Sequence, residues 1–324
     1  MSATPIIIDC DPGQDDAVNL FLAFASPDEV DLIGITTVAG NVPAALTQRN
    51  ARLICELAGR QDVPVHAGCT HPLFVAPLTA EHVHGATGLD GIDVRAPAMP
   101  IQPLHAVDFL IGCALVAADR PLTLIATGPL TNIAMALGRE PGITSGIERI
   151  VLMGGAMREA GNITPSAEFN FRADPHAADL VMRFGIPIVA LSLDVTHQVL
   201  VTAERLREIR AIGNAVAEAT WAMLDFSGRY DLAKYGIEGA PLHDPCTMAY
   251  LLRPGLFRTR RCSVAVETGS ALCLGHSSVD FWRVTDQPRT VDWAYEVDTD
   301  GFFALLFERL ARFPTVAGGL RCSA

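Results

Sequence analysis

The segment Ile6-Ile7-Ile8-Asp9-Cys10-Asp11-Pro12-Gly13-Gln14-Asp15-Asp16 decides the fold. Its isoleucine run is typical of a short buried β-strand, and its Pro-Gly turn leads into the start of a helix. Four carboxylates, those of Asp9, Asp11, Asp15 and Asp16, crowd into eight residues, and their mutual repulsion makes ionisation costly. A hard divalent cation relieves that repulsion, and oxygen ligands suit calcium or magnesium. A single such Asp is more often a helix N-cap or a turn residue, but four together favour a metal site.

The rest of the chain repeats this pattern of short apolar runs followed by helices. Such an alternation predicts an α/β fold with a mostly parallel central sheet, flanked by helices on both faces. The predicted strands are 6–8, 31–38, 63–65, 122–126, 149–153 and 186–193, and the predicted helices are 43–59, 105–119, one opened by Gly128-Pro129, 175–184, 202–230 and 300–313. The alternating runs within 256–297 predict a small antiparallel addition near the C-terminus. Because no long linker interrupts the pattern, we expect one domain over 1–324.

Polar residues follow the predicted strands where each strand ends. In parallel sheets, ligands bind beyond the carboxyl ends of the strands. The residues at these positions are Asp9, Asp11, Asn41, Thr127, the stretch 162–170 and Asp194. The sequence therefore predicts one site that is shared by several strand ends.

Composition excludes several classes of function. The net charge of −12 over 324 residues argues against nucleic-acid binding, which needs a basic surface. No apolar run reaches about 18 residues without a charge, so we expect no membrane span. The eight cysteines contain no C-x-x-C pair and no signal peptide is visible, which predicts a reduced, cytoplasmic protein.

Two further groups of residues carry possible chemistry. Asp244-Pro245 read alone is a helix start, but the neighbouring His243 can donate a proton to a leaving group. Asn162 and the triplet Glu168-Phe169-Asn170 place amides and a carboxylate around one aromatic ring, as a sugar site requires. A polar loop with one anchoring Phe explains the second group equally well.

Together these motifs resemble the inosine–uridine-preferring nucleoside hydrolase family. The matching stretches, in order, are Asp9-Cys10-Asp11-Pro12-Gly13-Gln14-Asp15-Asp16-Ala17, Thr37-Val38-Ala39-Gly40-Asn41, Ala126-Thr127-Gly128-Pro129-Leu130-Thr131-Asn132, Val151-Leu152-Met153-Gly154-Gly155, Ala167-Glu168-Phe169-Asn170, Leu193-Asp194-Val195-Thr196-His197 and His243-Asp244-Pro245-Cys246. The ordered set covers the chain almost end to end. It implies a nucleoside hydrolase fold with a Rossmann-like core, and hydrolysis of the N-glycosidic bond of ribonucleosides to free base and ribose.

The resemblance also implies a role for individual residues. Ca²⁺ would be bound by the carboxylates of Asp11, Asp16 and Asp244 and by the backbone carbonyl of Thr127. The ribose would be held by Asp15, Asn41, Asn162, Glu168 and Asn170, in a pocket lined by Met153 and Phe169. Asp11 would also act as general base on a calcium-bound water, and His243 would assist departure of the base. Asp9 is left as a supporting residue that orients the site.

Fewer residues of the sequence bear on which base of the nucleoside is preferred. The stretch 224–243 looks most like that of pyrimidine-preferring members, with Tyr230 and Tyr235 as candidates for contacting the base. In the loop 81–85, one of two histidines would close over the substrate, and His82 is the candidate. Pyrimidine nucleosides such as uridine and cytidine are therefore slightly favoured over a purine-preferring or broad specificity. The family likeness also implies a homotetramer or a dimer that serves nucleoside catabolism and salvage.

Two rival functions fit parts of the sequence. A phosphotransferase with Asp9 or Asp11 as nucleophile also begins with D-x-D after a strand, but it needs a later lysine, and Lys234 is the only one in the chain. A non-catalytic protein that binds calcium or a sugar would share the acidic cluster. The pair of Asp11 and His243 favours an enzyme over this second rival.

Overall fold

The structure, a computed structural model, describes residues 3–236 and 239–315. The strands are β1 (Thr4–Cys10), β2 (Val30–Thr37), β3 (Val65–Ala67), β4 (Leu122–Ala126), β5 (Ile147–Met153), β6 (Ile188–Leu191), β7 (Leu200–Val201), β8 (Ala240–Pro241), β9 (Phe257–Cys262), β10 (Val264–Val266), β11 (Ser277–Val279) and β12 (Val291–Val297). The helices are α1 (Gln14–Phe24), α2 (Ala44–Leu57), α3 (Glu81–His84), α4 (Ala106–Val116), α5 (Thr131–Arg139), α6 (Phe169–Ala173), α7 (Pro175–Arg183), α8 (Leu193–Thr196), α9 (Ala203–Ala211), α10 (Ala215–Tyr235), α11 (Pro245–Leu252) and α12 (Thr299–Leu310). Within these described ranges, no helix is long and apolar enough to span a membrane.

An eight-stranded sheet forms the centre of the molecule, in the order β3-β2-β1-β4-β5-β6-β12-β9. Every neighbouring pair is parallel except β12 and β9, which run antiparallel at one edge. Two small antiparallel pairs, β10-β11 and β7-β8, lie outside this sheet. The prediction of a mostly parallel sheet with a small antiparallel addition is therefore confirmed.

The isoleucine run of β1 is explained by the two cores of the molecule. Ile6 and Ile8 belong to one buried cluster, and Ile7 belongs to the cluster on the opposite face of the sheet. Side chains of a strand alternate between faces, so a central strand covered on both sides needs an apolar residue at every position. Burial of each isoleucine stabilises the fold by about 1.5–3 kcal/mol.

The C-terminal strands differ from the prediction for 256–297. β12 joins the main sheet beside β6, because Trp293 and Ala294 are both fully buried and so serve both faces. Polar and apolar residues alternate around them, and this pattern is typical of a strand with one exposed face. One of the alternating runs within 256–297 extends over 279–284, but strand β11 stops at Val279, since the Asp280 carboxylate accepts hydrogen bonds from the backbone N–H groups of a turn there.

Two other boundaries moved for local reasons. The predicted helix over 202–230 is divided at Gly213, whose φ of +76° breaks it, and the Asn214 side chain caps α10 by accepting from Ala217 N. The predicted strand 186–193 ends at Leu191, so Asp194 lies in the first turn of the short helix α8.

Helices α1 and α11 pack against each other although they lie far apart in the sequence. The Thr247 hydroxyl lies 3.1 Å from Asn19 Oδ1 and 2.8 Å from the carbonyl oxygen of Asp244, and all three residues are buried. Asn19 is one turn beyond Asp15 and Asp16, and Thr247 is one turn beyond Asp244. This contact therefore sets the position of the acidic N-terminal turn relative to the start of α11.

Candidate active site

A cavity of about 610 Å³ opens beyond the carboxyl ends of the parallel strands. Its wall includes residues that end a strand or lie within five residues of its end, namely Asp15, Asn41, Thr127, Met153 and Asp194. It includes all the predicted ribose-binding residues, as well as His82, Tyr230, His243 and Asp244. No Lys or Arg is found among its described lining residues, so the chain's own cations do not neutralise the acidic groups here.

The acidic cluster combines the two distant parts of the sequence. Carboxylate oxygens of Asp15, Asp16 and Asp244 all lie within 4.8 Å of one another. Asp244 occupies the N-cap position of α11, yet its side chain makes no cap hydrogen bond. The simple explanation of Asp244 as a helix cap therefore fails, and its carboxylate is directed to the cluster instead. This geometric cluster includes Asp15, which was predicted for the ribose.

Asp11 lies beside this cluster and has no exposed surface. Its Oδ2 accepts a 2.7 Å hydrogen bond from the backbone N–H of Asn41, whereas its buried Oδ1 has no hydrogen-bond partner in the described part of the chain. Gly40 and Gly128 flank the carboxylate so closely that a Cβ at Gly128 would lie 2.6 Å from Oδ1. The glycines of the Gly40-Asn41 and Thr127-Gly128 turns thus allow the backbone to approach the Asp11 side chain.

Burial and mutual charge make this cluster costly to ionise. Burial, followed by the charge of Asp16, raises the pKa of Asp11 well above its usual value. Burial and then the charges of Asp15, Asp16 and Asp11 raise the pKa of Asp244 in the same way. A cation bound among these groups would reverse the effect, because it stabilises the charged form of each carboxylate.

The donor set fits a hard divalent cation. Asp11 Oδ1 and Asp15 Oδ1 are buried oxygens that have no hydrogen-bond partner within residues 3–236 and 239–315, and buried polar atoms without partners are rare in native proteins. Asp16 is held by donors on both oxygens, with Thr127 Oγ1 2.7 Å from Oδ1 and Gly13 N 2.9 Å from Oδ2. Several carboxylate oxygens with backbone carbonyl oxygens nearby form the kind of ligand set that Ca²⁺ and Mg²⁺ bind in proteins.

The predicted ribose-binding residues form one connected wall. Asn170 Nδ2 donates to the carbonyl oxygens of Thr127 (2.8 Å) and Met153 (3.2 Å), and Asn41 Nδ2 donates to Asp16 Oδ2 (3.2 Å). Asn162 Oδ1 accepts from the backbone N–H of Phe169. These bonds fix the direction of each amide before any sugar is present.

Glu168 is held almost entirely by the backbone. Its two oxygens accept hydrogen bonds from the N–H groups of Gly155, Asn170 and Phe171 at 2.8–3.1 Å, so that it caps α6. Burial nevertheless raises its pKa to about 7, because the hydrogen bonds only partly offset the cost of desolvation.

The side of the cavity away from the acids carries histidines. His243 Nδ1 lies 2.8 Å from Thr196 Oγ1, and burial followed by the nearby charge of His197 lowers the pKa of His243 to about 4. The His197 ring lies 5.8 Å from that of His243, and its Nδ1 is 3.1 Å from Glu159 Oε2. His197 and Glu159 both line the cavity, although the sequence prediction gave them no role.

The loop 81–90 closes one side of the cavity. His82 meets Tyr230 edge to face at 5.4 Å between ring centroids, and both line the cavity. The side chain of Tyr235 lies outside the described residues. His84, the other histidine of the loop, also lines the cavity and lies against Gly13, where a Cβ would be 2.5 Å from its Nδ1.

Three residues at the site, Asp194, Asp9 and Gln14, had no defined binding or catalytic role in the sequence prediction. Asp194 accepts from the backbone N–H groups of Met157, Arg158 and Glu159 at 2.6–3.1 Å and so anchors the loop after β5. The Oδ1 of Asp9, which was predicted to orient the site, accepts hydrogen bonds from Thr36 Oγ1 and Asn132 Nδ2. The Oε1 of Gln14 lies within hydrogen-bond distance of His84 Nδ1, at 2.6 Å. The signal for Asp194 was its position after a strand, but its partners lie 35–37 residues away.

Comparison with known proteins identifies the family. A family model described as inosine-uridine preferring nucleoside hydrolase matches residues 6–304. The chain belongs to this family. The pyrimidine-specific ribonucleoside hydrolase RihA of Photobacterium profundum is 49% identical over 310 residues, which cover 95% of this chain and 99% of the relative. RihA of Enterobacter sp. (strain 638) is 45% identical over 312 residues, covering 96% of this chain and 99% of the relative.

The solved structures give the same family with another specificity. The purine-preferring ribonucleoside hydrolase from Gardnerella vaginalis superposes with a TM-score of 0.89 at 32% identity, over 97% of this chain and 100% of that chain. The protein is therefore a hydrolase that acts on the N-glycosyl bond of nucleosides, and the cavity described above is its candidate active site.

Proposed function

We propose that this hydrolase cleaves ribonucleosides at a Ca²⁺ site, with Asp11 as general base. The observation that carries the proposal is the buried Oδ1 of Asp11, which has no hydrogen-bond partner among the described residues and lies beside a carboxylate cluster in a cavity with no Lys or Arg in its described lining. The ion would be held by Asp11, Asp16, Asp244 and the Thr127 carbonyl, with Asp15 at the edge of the same cluster. When bound, Ca²⁺ would orient the attacking water and make it more acidic.

Asp11 takes the proton of the water. Its Oδ2 is held by Asn41 N, so Oδ1 remains to accept a proton while the water oxygen bonds to the anomeric carbon. As that bond forms, the bond to the base nitrogen breaks and its electron pair goes to the base. Positive charge develops on the sugar, and the surrounding carboxylates stabilise it.

His243 is proposed to assist departure of the base. Its lowered pKa means that the ring is neutral at pH 7, so one ring nitrogen carries a proton and the other does not. When the Thr196 hydroxyl donates to Nδ1, the proton lies on Nε2, and that N–H can hydrogen-bond to the leaving base.

The proposed ribose contacts favour ribonucleosides over deoxynucleosides. Asp15, Asn41, Asn162, Glu168 and Asn170 hold the sugar hydroxyls, and Met153 and Phe169 cover its apolar face. A sugar that lacks a bound hydroxyl leaves a buried polar group without a partner, which sites of this kind reject strongly.

Uridine and cytidine are proposed as the preferred substrates. The pyrimidine-specific relatives are 45–49% identical to this chain over nearly its whole length, and Tyr230 and His82 form an aromatic corner in the cavity. A purine-preferring or broad specificity is the second candidate, supported by the purine-preferring relative with a TM-score of 0.89. We further propose a homotetramer or dimer in the cytoplasm, where the free thiols described here would stay reduced.

The test is an assay of base and ribose release from uridine, cytidine, inosine and adenosine. The protein is stripped with a chelator, and activity is measured before and after adding Ca²⁺ or Mg²⁺. Asp11→Asn keeps the acceptor for Asn41 N but removes the base, so we expect kcat to fall by about 10²–10⁴-fold while the fold persists. Full activity in Asp11→Asn or after complete chelation contradicts the mechanism. Faster cleavage of inosine than of uridine contradicts the pyrimidine preference alone.

A further inference from the structure

The amide of Gln14 joins the acidic turn to the loop that walls the cavity. Its Nε2 lies 2.9 Å from the carbonyl oxygen of His84 and 3.2 Å from that of Asp90, and its Oε1 lies 2.6 Å from His84 Nδ1. Gln14 is only 1% exposed. One side chain at the start of α1 thus makes three contacts with a segment 70–76 residues further along the chain.

These contacts leave one possible arrangement of the hydrogens. The two backbone carbonyls can only accept, so the NH₂ group of Gln14 must face them and its Oε1 must face the ring. An amide oxygen cannot donate, so the Nδ1 of His84 must carry the proton that closes the 2.6 Å contact. In the neutral imidazole, Nε2 is then a hydrogen-bond acceptor.

The surroundings of His84 agree with a neutral ring. Burial lowers its pKa, although the charge of Asp15 opposes this effect. The ring lines the cavity, and in the described part of the chain its Nε2 makes no hydrogen bond. Nδ1 and Cε1 face Gly13, the side of the ring occupied by the protein.

We propose that Gln14 fixes the tautomer of His84, so that His84 Nε2 accepts a hydrogen bond from an O–H or N–H group of the nucleoside. Gln14 is then a positioning residue and His84 a substrate-binding residue. The donor is either a ribose hydroxyl or the N–H of a pyrimidine ring. The inference rests on the proposed substrate cavity, but it depends neither on the identity of the metal nor on the preference for a base.

The tautomer can be observed without turnover. In protein labelled with ¹⁵N-histidine, long-range ¹H–¹⁵N correlations separate the two neutral tautomers, and the signal of His84 is assigned by its absence in His84→Phe. We expect Nδ1–H in the native protein and a loss of this single form in Gln14→Met. Native His84 with its proton on Nε2 overturns the proposal. Because this measurement needs no substrate, it stands even if the proposed calcium mechanism fails.

Kinetics then test what the acceptor binds. Gln14→Met removes both polar groups at similar volume, and we expect KM for uridine to rise by roughly 2- to 12-fold, the loss of about one hydrogen bond. Unchanged KM in Gln14→Met, with the tautomer lost, contradicts a role in substrate binding.

Substrate analogues and a matched control distinguish the possible donors. 5′-Deoxyuridine lacks a hydroxyl and 3-methyluridine lacks the ring N–H, so the native enzyme should discriminate against one of them, and Gln14→Met should lose that discrimination. Gln198 also lines the cavity, and its Nε2 bonds to the carbonyl oxygens of Asp194 and Tyr295, with no histidine among its described partners. Gln198→Met should therefore keep the discrimination. Equal loss in both variants would mean that general loosening of the cavity, not the tautomer, is responsible.

Discussion

The carboxylate of Asp11 depends on the absence of a side chain at two neighbouring positions. A Cβ at Gly40 would overlap Asp11 Oδ2, and one at Gly128 would lie 2.6 Å from Oδ1. Neither glycine is needed for a left-handed backbone, since neither has a positive φ. Their role is to provide space, and this role links two turns after β2 and β4 to the proposed base.

Gly40→Ala should therefore damage the site more than the fold. The added methyl displaces Asp11 or the Asn41 backbone, so we expect kcat/KM to fall by roughly the same 10²–10⁴-fold as loss of the general base. Gly112→Ala is the matched control, because Gly112 is exposed within α4 and an added Cβ meets nothing within 4 Å. It should be neutral or stabilising by up to about 1 kcal/mol. Steady-state kinetics and urea unfolding of both variants provide the comparison, and near-native kinetics in Gly40→Ala would refute the argument.

For individual residues, the sequence was sufficient to predict a functional role where the interacting residues are close together along the chain. Asp11, Asp15 and Asp16 form a recognisable cluster because they share one strand, turn and helix. The contacts of Gln14 with His84 and Asp90 were not predictable, since they join segments 70–76 residues apart. The loop 81–85 contains two histidines, and the sequence alone could not show which of them contacts the acidic turn. His82 was the candidate for the substrate, and the structure places His84 against Gly13 of that turn.

Among the elements, the packing of α1 on α11 holds the two halves of the acidic cluster in register. Thr247→Val removes the hydroxyl that contacts Asn19 and keeps the volume, and it leaves a buried amide with one partner fewer. We expect a loss of about 1–3 kcal/mol in the free energy of unfolding. Calcium affinity should fall by roughly tenfold, as for other residues that position metal ligands.

Calorimetric titration of the stripped protein with Ca²⁺ measures this effect, and Thr247→Ser serves as its control. The serine keeps the hydroxyl but leaves a small cavity, so it should lose stability and retain calcium affinity. If valine and serine weaken calcium binding equally, the hydroxyl does not position the cluster.

The elements themselves were predictable to different degrees. The central strands β1 and β4 were found because continuous burial requires continuous apolar sequence. β12 was predicted as part of a small antiparallel addition because its sequence alternates, and only its parallel pairing with β6 reveals that it extends the main sheet. Pairing partners distant in sequence leave no local signal, so topology was harder to predict than the strands.

Across the whole molecule, Glu29 connects the first third of the chain to the last. Its carboxylate bonds to Arg253, just after α11, and to Arg309, which is fully buried in α12. Burial alone would raise the pKa of Glu29, but the hydrogen bonds and charges of the two arginines outweigh it and lower the pKa below 4.5. The ionised form of Glu29 is thus favoured by folding.

Glu29→Gln should lower stability in a pH-dependent way. Because the pKa of Glu29 is lowered in the folded protein, its contribution is fully present above pH 4.5 and is lost as the pH falls through the folded pKa. Near pH 7 we expect the variant to be less stable by about 0.5–1.5 kcal/mol, because solvent screens these partly exposed ion pairs, and the difference should shrink below pH 4.5. Urea unfolding of both proteins from pH 7 to pH 3.5 measures it. A difference that stays constant or grows on acidification would exclude the ion pairs as its source.

The contact between Asn19 and Thr247 joins residues that are 228 positions apart, and this separation affects the order in which the site is assembled during synthesis. On the ribosome, β1 and the acidic turn emerge first, and α11 is made only after most of the chain. The proposed cation would therefore find a complete set of ligands only after most of the chain has been made. Ca²⁺ should slow unfolding without accelerating refolding, which stopped-flow measurements at varied Ca²⁺ can verify. The ion would then govern how long the native enzyme survives, while the apolar strands govern how it is formed.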